Sequence, residues 1–194
     1  MTHVERDLAG RIVALVSPTG LRTSYSYDAC GRMVDVTDPA GRVTRYSYTS
    51  DFQVATVTYP TGETARYEYD AMGRVVLSHV PGAGVSQYRY DPCGRLVFSC
   101  DLVYGQRHFS YDLAGQLVAA TNPAGGVSRY GYDRCGRLVT RTDPGGGLTT
   151  YQYNECGQMI AATDPLGRVT EYTWDKSGTL AAITRPDGTV VSRR

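Results

Sequence analysis

Tyr67-Glu68-Tyr69-Asp70-Ala71-Met72-Gly73-Arg74 is the stretch from which the rest of the chain is read, because its pattern returns every 21 residues. Its glycine recurs in step at Gly10, Gly31, Gly94, Gly115, Gly136, Gly157 and Gly178, with Phe52 in the one slot where glycine is missing. Its aromatic pair recurs as Tyr25/Tyr27, Tyr46/Tyr48, Tyr88/Tyr90, Phe109/Tyr111, Tyr130/Tyr132, Tyr151/Tyr153 and Tyr172/Trp174. A fixed period of this size marks a repeat architecture and overrides any domain count based on length. Residues 1–194 therefore read as a single repeat array.

Within one period, the aromatic pair leads into Asp-x-x-Gly, as in Asp28-Ala29-Cys30-Gly31 and Asp91-Pro92-Cys93-Gly94. Aspartate can cap the backbone of such a turn, Pro92 shows that its second position accepts a fixed φ, and glycine supplies a left-handed fourth position. Arg or Gln follows (Arg32, Arg74, Arg95, Gln116, Arg137, Gln158), then apolar pairs such as Met33-Val34 and Leu138-Val139. Alternating aromatics on one side and β-branched or apolar residues on the other make the two arms of a hairpin. A second turn closes the period, as in Thr37-Asp38-Pro39-Ala40-Gly41 and Thr163-Asp164-Pro165-Leu166-Gly167. No helical periodicity appears, so an all-β fold is expected, a continuous antiparallel sheet of about nine hairpin repeats.

A lone period cannot bury enough apolar surface to offset the ordering of its own backbone, so stability must come from stacked neighbours. Roughly 18 strands at about 4.8 Å predict a strip on the order of 85 Å, curled by strand twist. Because the period is odd, two three-residue loops would throw the tyrosines of alternate repeats onto opposite faces. A uniform repeat argues for a uniform face, so each period is expected to contain one parity-changing device, a bulge or a loop of even length. Three places leave the consensus. Thr49-Ser50-Asp51-Phe52 lacks both the turn aspartate and the glycine and predicts a wider or irregular turn. His79-Val80-Pro81-Gly82-Ala83-Gly84 shifts the glycine, and Ser99-Cys100-Asp101-Leu102-Val103-Tyr104-Gly105 replaces the usual second turn without changing phase.

Composition narrows the function. Twenty basic against 19 acidic residues give a net charge of +1, with no electrostatic footprint for nucleic acid or an anionic membrane. No apolar run is long enough to span a membrane and residues 1–7 carry no basic-then-apolar leader, so no signal peptide is read in this chain. The sequence begins and ends inside a repeat, which predicts a piece of a longer array. Cys30, Cys93, Cys135 and Cys156 share one turn slot. Even those in adjacent repeats should lie about 10 Å apart, too far for a disulfide. Cys100 shares a slot with His79 at a similar spacing, too sparse for zinc. Turn aspartates with Arg or Gln four residues on, such as Asp28/Arg32 and Asp133/Arg137, read as exposed caps contributing little. Asp35, Glu63, Glu68 and Glu171 are the remaining carboxylates from which a glycosidase pair could be drawn, and nothing marks any two of them. No catalytic, cofactor-binding or metal residue is assigned, and the chain is not expected to be an enzyme. The Tyr/Arg ladder could alternatively offer stacking platforms for a carbohydrate-binding or adhesion role.

The unit Tyr-x-Tyr-Asp-x-x-Gly-Arg-Leu-x-x-x-Thr-Asp-Pro-x-Gly, as it stands at Tyr130 to Gly146, resembles the YD repeat of the Rhs family of bacterial polymorphic toxins, found also in toxin-complex C proteins and teneurins. The resemblance covers practically the whole chain. It implies a β-strip that forms part of a hollow shell enclosing a C-terminal toxin cargo, secreted or displayed at the cell surface through secretion machinery. It implies as partners the cargo and the remaining shell of the same protein. The autoproteolytic segment and toxin that usually end such proteins do not follow Asp175-Lys176-Ser177-Gly178, so the implied role is shell wall.

Overall fold

The computed structural model describes residues 2–192; Met1 and the last residues of the expected final strand, Arg193 and Arg194, lie outside them. The fold is all-β, with no helix among the described residues. Two compact units divide the chain, Met1–Arg89 with Ser99–Gly105 and Tyr90–Phe98 with Gln106–Arg194.

The first unit holds β1 (His3–Arg6), β2 (Ile12–Val16), β3 (Arg22–Tyr27), β4 (Met33–Thr37), β5 (Val43–Tyr48), β6 (Val54–Thr58), β7 (Thr64–Tyr69), β8 (Val75–Val80) and nearly all of β9 (Gly84–Tyr90). Consecutive strands pair antiparallel throughout. Strand β10 (Leu96–Asp101) has residues in both units. The second unit continues with all but the first residue of β11 (Gly105–Tyr111), then β12 (Leu117–Thr121), β13 (Val127–Tyr132), β14 (Leu138–Thr142), β15 (Leu148–Tyr153), β16 (Met159–Thr163), β17 (Val169–Trp174), β18 (Leu180–Thr184) and β19 (Val190–Ser192). Its strands from β11 onward also pair in chain order, all antiparallel. Both units are the hairpin array that the period predicts.

The expected parity device is a bulge. Ser26 faces Asp35 while Tyr27 faces Met33, so Val34 is an extra residue on β4, and Met33 and Val34 together make the bulge opposite Tyr27. The same shift falls before Tyr48 and Tyr69 in the first unit. In the second unit it falls before Tyr111, Tyr132, Tyr153 and Trp174. Tyr25 opposes Val36, and Val36 opposes Thr44, which puts Tyr46, two residues on, on the same face as Tyr25. If the same residues paired without the bulge, Tyr25 would oppose Asp35 and share a face with Arg45 instead.

Both turns of a regular period are three-residue loops. In the first, the Asp28 amide bonds the Arg32 carbonyl and the Gly31 amide bonds the Asp28 carbonyl. The second repeats this with Asp38, Arg42 and Gly41. Contrary to expectation, the turn at Thr49 is neither wider nor irregular. The Thr49 amide bonds the Gln53 carbonyl and the Phe52 amide bonds the Thr49 carbonyl, as in the first turns of the other repeats. Thr49 Oγ1 replaces the missing carboxylate, accepting from the Asp51 and Gln53 amides, and Phe52 takes the left-handed position at φ 67°. The strands on either side fix the loop length, so the side chain adapts to the turn.

At Val80 the glycine does shift. The Ala83 amide bonds the Val80 carbonyl, with Pro81 and left-handed Gly82 between them, which is a type II turn, and the pairing of Val80 with Gly84 keeps the period in phase. At 101–105, Asp101 caps the Val103 and Tyr104 amides.

No large side chain is fully buried among the described residues, and the buried positions are Ala14, Ala65 and Ser78. The ladder tyrosines are half-buried, with their support coming from the neighbouring hairpin.

Candidate functional site

The feature that repeats with the sequence is a ladder of Tyr, Arg and Asp that ties each hairpin to the next. Backbone pairing between β4 and β5 reaches Asp35–Arg45 and goes no further towards the first turn. Beyond it, the Tyr48 hydroxyl donates to the Met33 carbonyl at 2.6 Å, across the same two strands. Met33 belongs to the bulge, so the parity device leaves a carbonyl facing the next hairpin and the next hairpin's tyrosine takes it up. Tyr27 does the same to Ile12 (2.6 Å) and Tyr69 to Val54 (2.8 Å). In the second unit Tyr111, Tyr132 and Tyr153 bond Leu96, Leu117 and Leu138, each at 2.9 Å. Trp174 donates its indole N–H to Met159 at 2.8 Å, which explains why this slot accepts tryptophan. Burial raises the Tyr48, Tyr69 and Tyr132 hydroxyls above the usual phenol value, and at Tyr132 the neighbouring Tyr130 adds to the effect.

Arginine completes the ladder. Arg32 Nε donates to Asp28 Oδ2 at 2.7 Å while its guanidinium lies 5.0 Å from the ring centre of Tyr48 in the next repeat. Arg11 over Tyr27, Arg95 over Tyr111 and Arg137 over Tyr153 repeat the contact at 4.8–4.9 Å. Arg95 and Arg137 also reach a turn carbonyl of the next hairpin, Asp112 at 3.0 Å and Asn154 at 3.2 Å. Gln53 donates likewise to Gly73 at 2.8 Å. One side chain thus holds its own turn closed and covers its neighbour's ring.

The turn aspartate uses both carboxylate oxygens. Asp28 Oδ1 accepts the Cys30 and Arg32 amides and Oδ2 the Arg32 side chain. Such bonds hold the carboxyls below the usual carboxylate range. For Asp28, Asp38, Asp91, Asp133 and Asp164 the largest cause is the backbone N–H of the arginine four residues on. For Asp7 and Asp70 it is the arginine side chain. The first-turn carboxylates are less exposed than expected, Asp91 retaining 14% of its side-chain surface, because the next hairpin's tyrosine and the arginine above it crowd the turn.

The other carboxylates are scattered. Asp35 accepts from Ser26 and lies 3.6 Å from Arg45. Glu63 accepts from Thr61 and lines a groove of about 830 Å³ between neighbouring second turns. Glu68 lines a different groove on β7 and β8, and Glu171 a third in the second unit. Among the described residues, no two of these four line the same one of these three grooves. Among the described residues no three His, Cys, Asp or Glu side chains cluster as a metal site would require. Cys30, Cys93, Cys135 and Cys156 are exposed free thiols and Cys100 is half-buried. What sequence reasoning missed is the hydroxyl-to-carbonyl stitch, whose signal is the 15-residue offset from each second aromatic back to the residue after the Arg or Gln of the previous first turn.

The family model described as teneurin YD-shell matches residues 2–189, nearly the whole chain. The chain belongs to the teneurin YD-shell family. No curated protein matches it. Among solved structures, the YD-shell chain is similar to a TcdB2-TccC3-Cdc42 crystal structure, with 18% identity and a TM-score of 0.75 over 98% of this chain and 11% of that one. It is similar to TcdB2-TccC3 without its hypervariable C-terminal region, with 19% identity and a TM-score of 0.73 over 95% of this chain and 11% of that one. It is also similar to the Photorhabdus luminescens Tc holotoxin pore carrying a TccC3 mutation, with 14% identity and a TM-score of 0.59 over 95% of this chain and 13% of that one. The YD-shell chain therefore shares their fold and spans only a small part of their length.

Proposed function

We propose that this YD-shell chain is a stretch of wall from an Rhs-type polymorphic toxin, in which the closed shell encloses a C-terminal toxin domain for delivery in competition between cells. On this reading residues 1–194 act as one array, since the glycine phase runs from Gly10 to Gly178. The partners are the rest of the shell, the enclosed toxin and the machinery that exports them, and the site of action is secreted or at the cell surface. The observation that carries the reading is the ladder itself. The side chains that recur most regularly are the ones engaged in joining hairpin to hairpin, so the repeat is built for extent and not for turnover. One of the similar structures is that of TcdB2-TccC3 without its hypervariable C-terminal region, and a protein with such a region is in keeping with a constant wall around a variable cargo. The carbohydrate-binding alternative is less well supported, because the second hydroxyl of each aromatic pair, as at Tyr48 and Tyr132, is engaged by a neighbouring carbonyl.

The test is limited proteolysis of the full-length protein that contains this array. The wall reading predicts a C-terminal domain resistant to protease until the ladder is broken by replacing several second-position tyrosines with alanine. A C-terminal domain digested equally in both proteins contradicts it.

A further inference from the structure

The face opposite the tyrosines carries a groove in the first unit that the ladder does not use. Arg66 on β7 lies directly opposite His79 on β8, so both project from this face. Placed opposite one another, the two side chains give each other no carboxylate partner. Among the described residues neither side chain has a hydrogen bond, an ion pair or a ring contact, and both residues are exposed. Arginines of the ladder are instead held by an aspartate of their own turn, as Arg32 and Arg74 are. Arg66 and His79 line a groove of about 400 Å³ with Thr64, Glu68 and Leu77. One period earlier, in the same slot as Arg66, stands Arg45, exposed over 68% of its side chain and only loosely held by Asp35 at 3.6 Å.

We propose that this groove binds an acidic peptide segment. The donors Arg66 and His79 match a carboxylate, and the arginine fork can hold it by two bonds. Glu68 accepts only, so it suits a peptide N–H and opposes a bare anion; Thr64 can serve either backbone group. Leu77 offers contact to an apolar side chain beside the acid. A free phosphate or a simple carboxylate satisfies the first pair and leaves Glu68 and Leu77 without a counterpart. A peptide alternating acidic and apolar residues meets all five. Arg45, two strands away at about 10 Å, can take a second carboxylate of the same segment. The chain's net charge of +1 supplies no general attraction for acids, so the recognition is local.

The experiment is a fluorescence-anisotropy titration of the whole chain with a labelled hexapeptide alternating glutamate and leucine, beside its glutamine–leucine analogue and with inorganic phosphate as competitor. The expected result is saturable binding of the glutamate peptide at least about tenfold tighter than the glutamine analogue, weakened by salt and unaffected by millimolar phosphate. Arg66→Gln is expected to weaken it about tenfold and Arg45→Gln less. Equal binding of the two peptides, absence of saturation, or displacement by phosphate overturns the proposal. The comparison of peptides on the unmodified chain decides the matter even if a variant fails to fold. None of these outcomes bears on the shell reading, which rests on the opposite face.

Discussion

Tyr48 and Tyr46 stand two residues apart on one face, yet they have different work. The Tyr48 hydroxyl closes the gap to Met33, whereas the Tyr46 hydroxyl makes no hydrogen bond among the described residues. Tyr48→Phe leaves a carbonyl without its donor and is expected to lower unfolding free energy by about 1–2 kcal/mol. Tyr46→Phe should change it by less than about 0.5 kcal/mol. Urea melts of the two variants check the difference; equal effects would mean the hydroxyl bond carries nothing. Phe52 makes the opposite case, a residue at odds with its own turn. Its left-handed φ of 67° is unfavourable by about 1–2 kcal/mol, offset in part by the Arg32 guanidinium 5.1 Å from its ring. Phe52→Gly should therefore stabilise the chain by about 0.5–1 kcal/mol, read from the same melts. The aromatic slots were legible in the sequence because aromatic residues recur there from Tyr25 to Trp174. The hydroxyl's partner was not, since it depends on a register that the order of residues does not print. The turn at Thr49 departs from expectation for a related reason: a missing glycine looks like a missing turn until the flanking strands are seen to hold the loop at three residues.

Each hairpin works as an element through the bulge, which sets parity and exposes the carbonyl that the next hairpin binds. The need for such a device followed from the odd period alone; its position before the second aromatic did not, because bulge placement reflects three-dimensional pairing. The turns show how much one slot matters. Gln116 occupies the arginine slot after Asp112, and its Oε1 is buried with no partner. Asn154 and Gln158 resolve a similar exchange by pairing with each other at 2.7 Å. Gln116→Arg should give Asp112 the bond its counterparts have and raise stability by up to about 1 kcal/mol, measured by thermal melts. Because the carboxyls of Asp28, Asp70 and Asp133 are lowered in the fold, their stabilisation is present above the unfolded value near pH 4 and is lost as pH falls through the depressed folded values. The raised Tyr48 and Tyr69 have the converse sign, with stabilisation present below about pH 10 and lost as pH rises through the raised folded values. Unfolding midpoints should be level between these limits and fall on both sides. A midpoint that declines steadily from about pH 8 to about pH 5 would contradict the assignment.

For the whole molecule, the absence of any fully buried large side chain among the described residues means that cohesion resides between repeats. Hairpin periodicity made the all-β array readable, and the match to the YD-shell family over residues 2–189 agrees with it. The most direct test is equilibrium unfolding of chains containing one, two, three and four consecutive repeats taken from the first unit, followed by circular dichroism in urea. A single repeat such as residues 22–42 should be unstructured, and stability should then rise by a similar increment with each repeat added. A single repeat that folds by itself, or a stability that does not change with repeat number, would contradict the account.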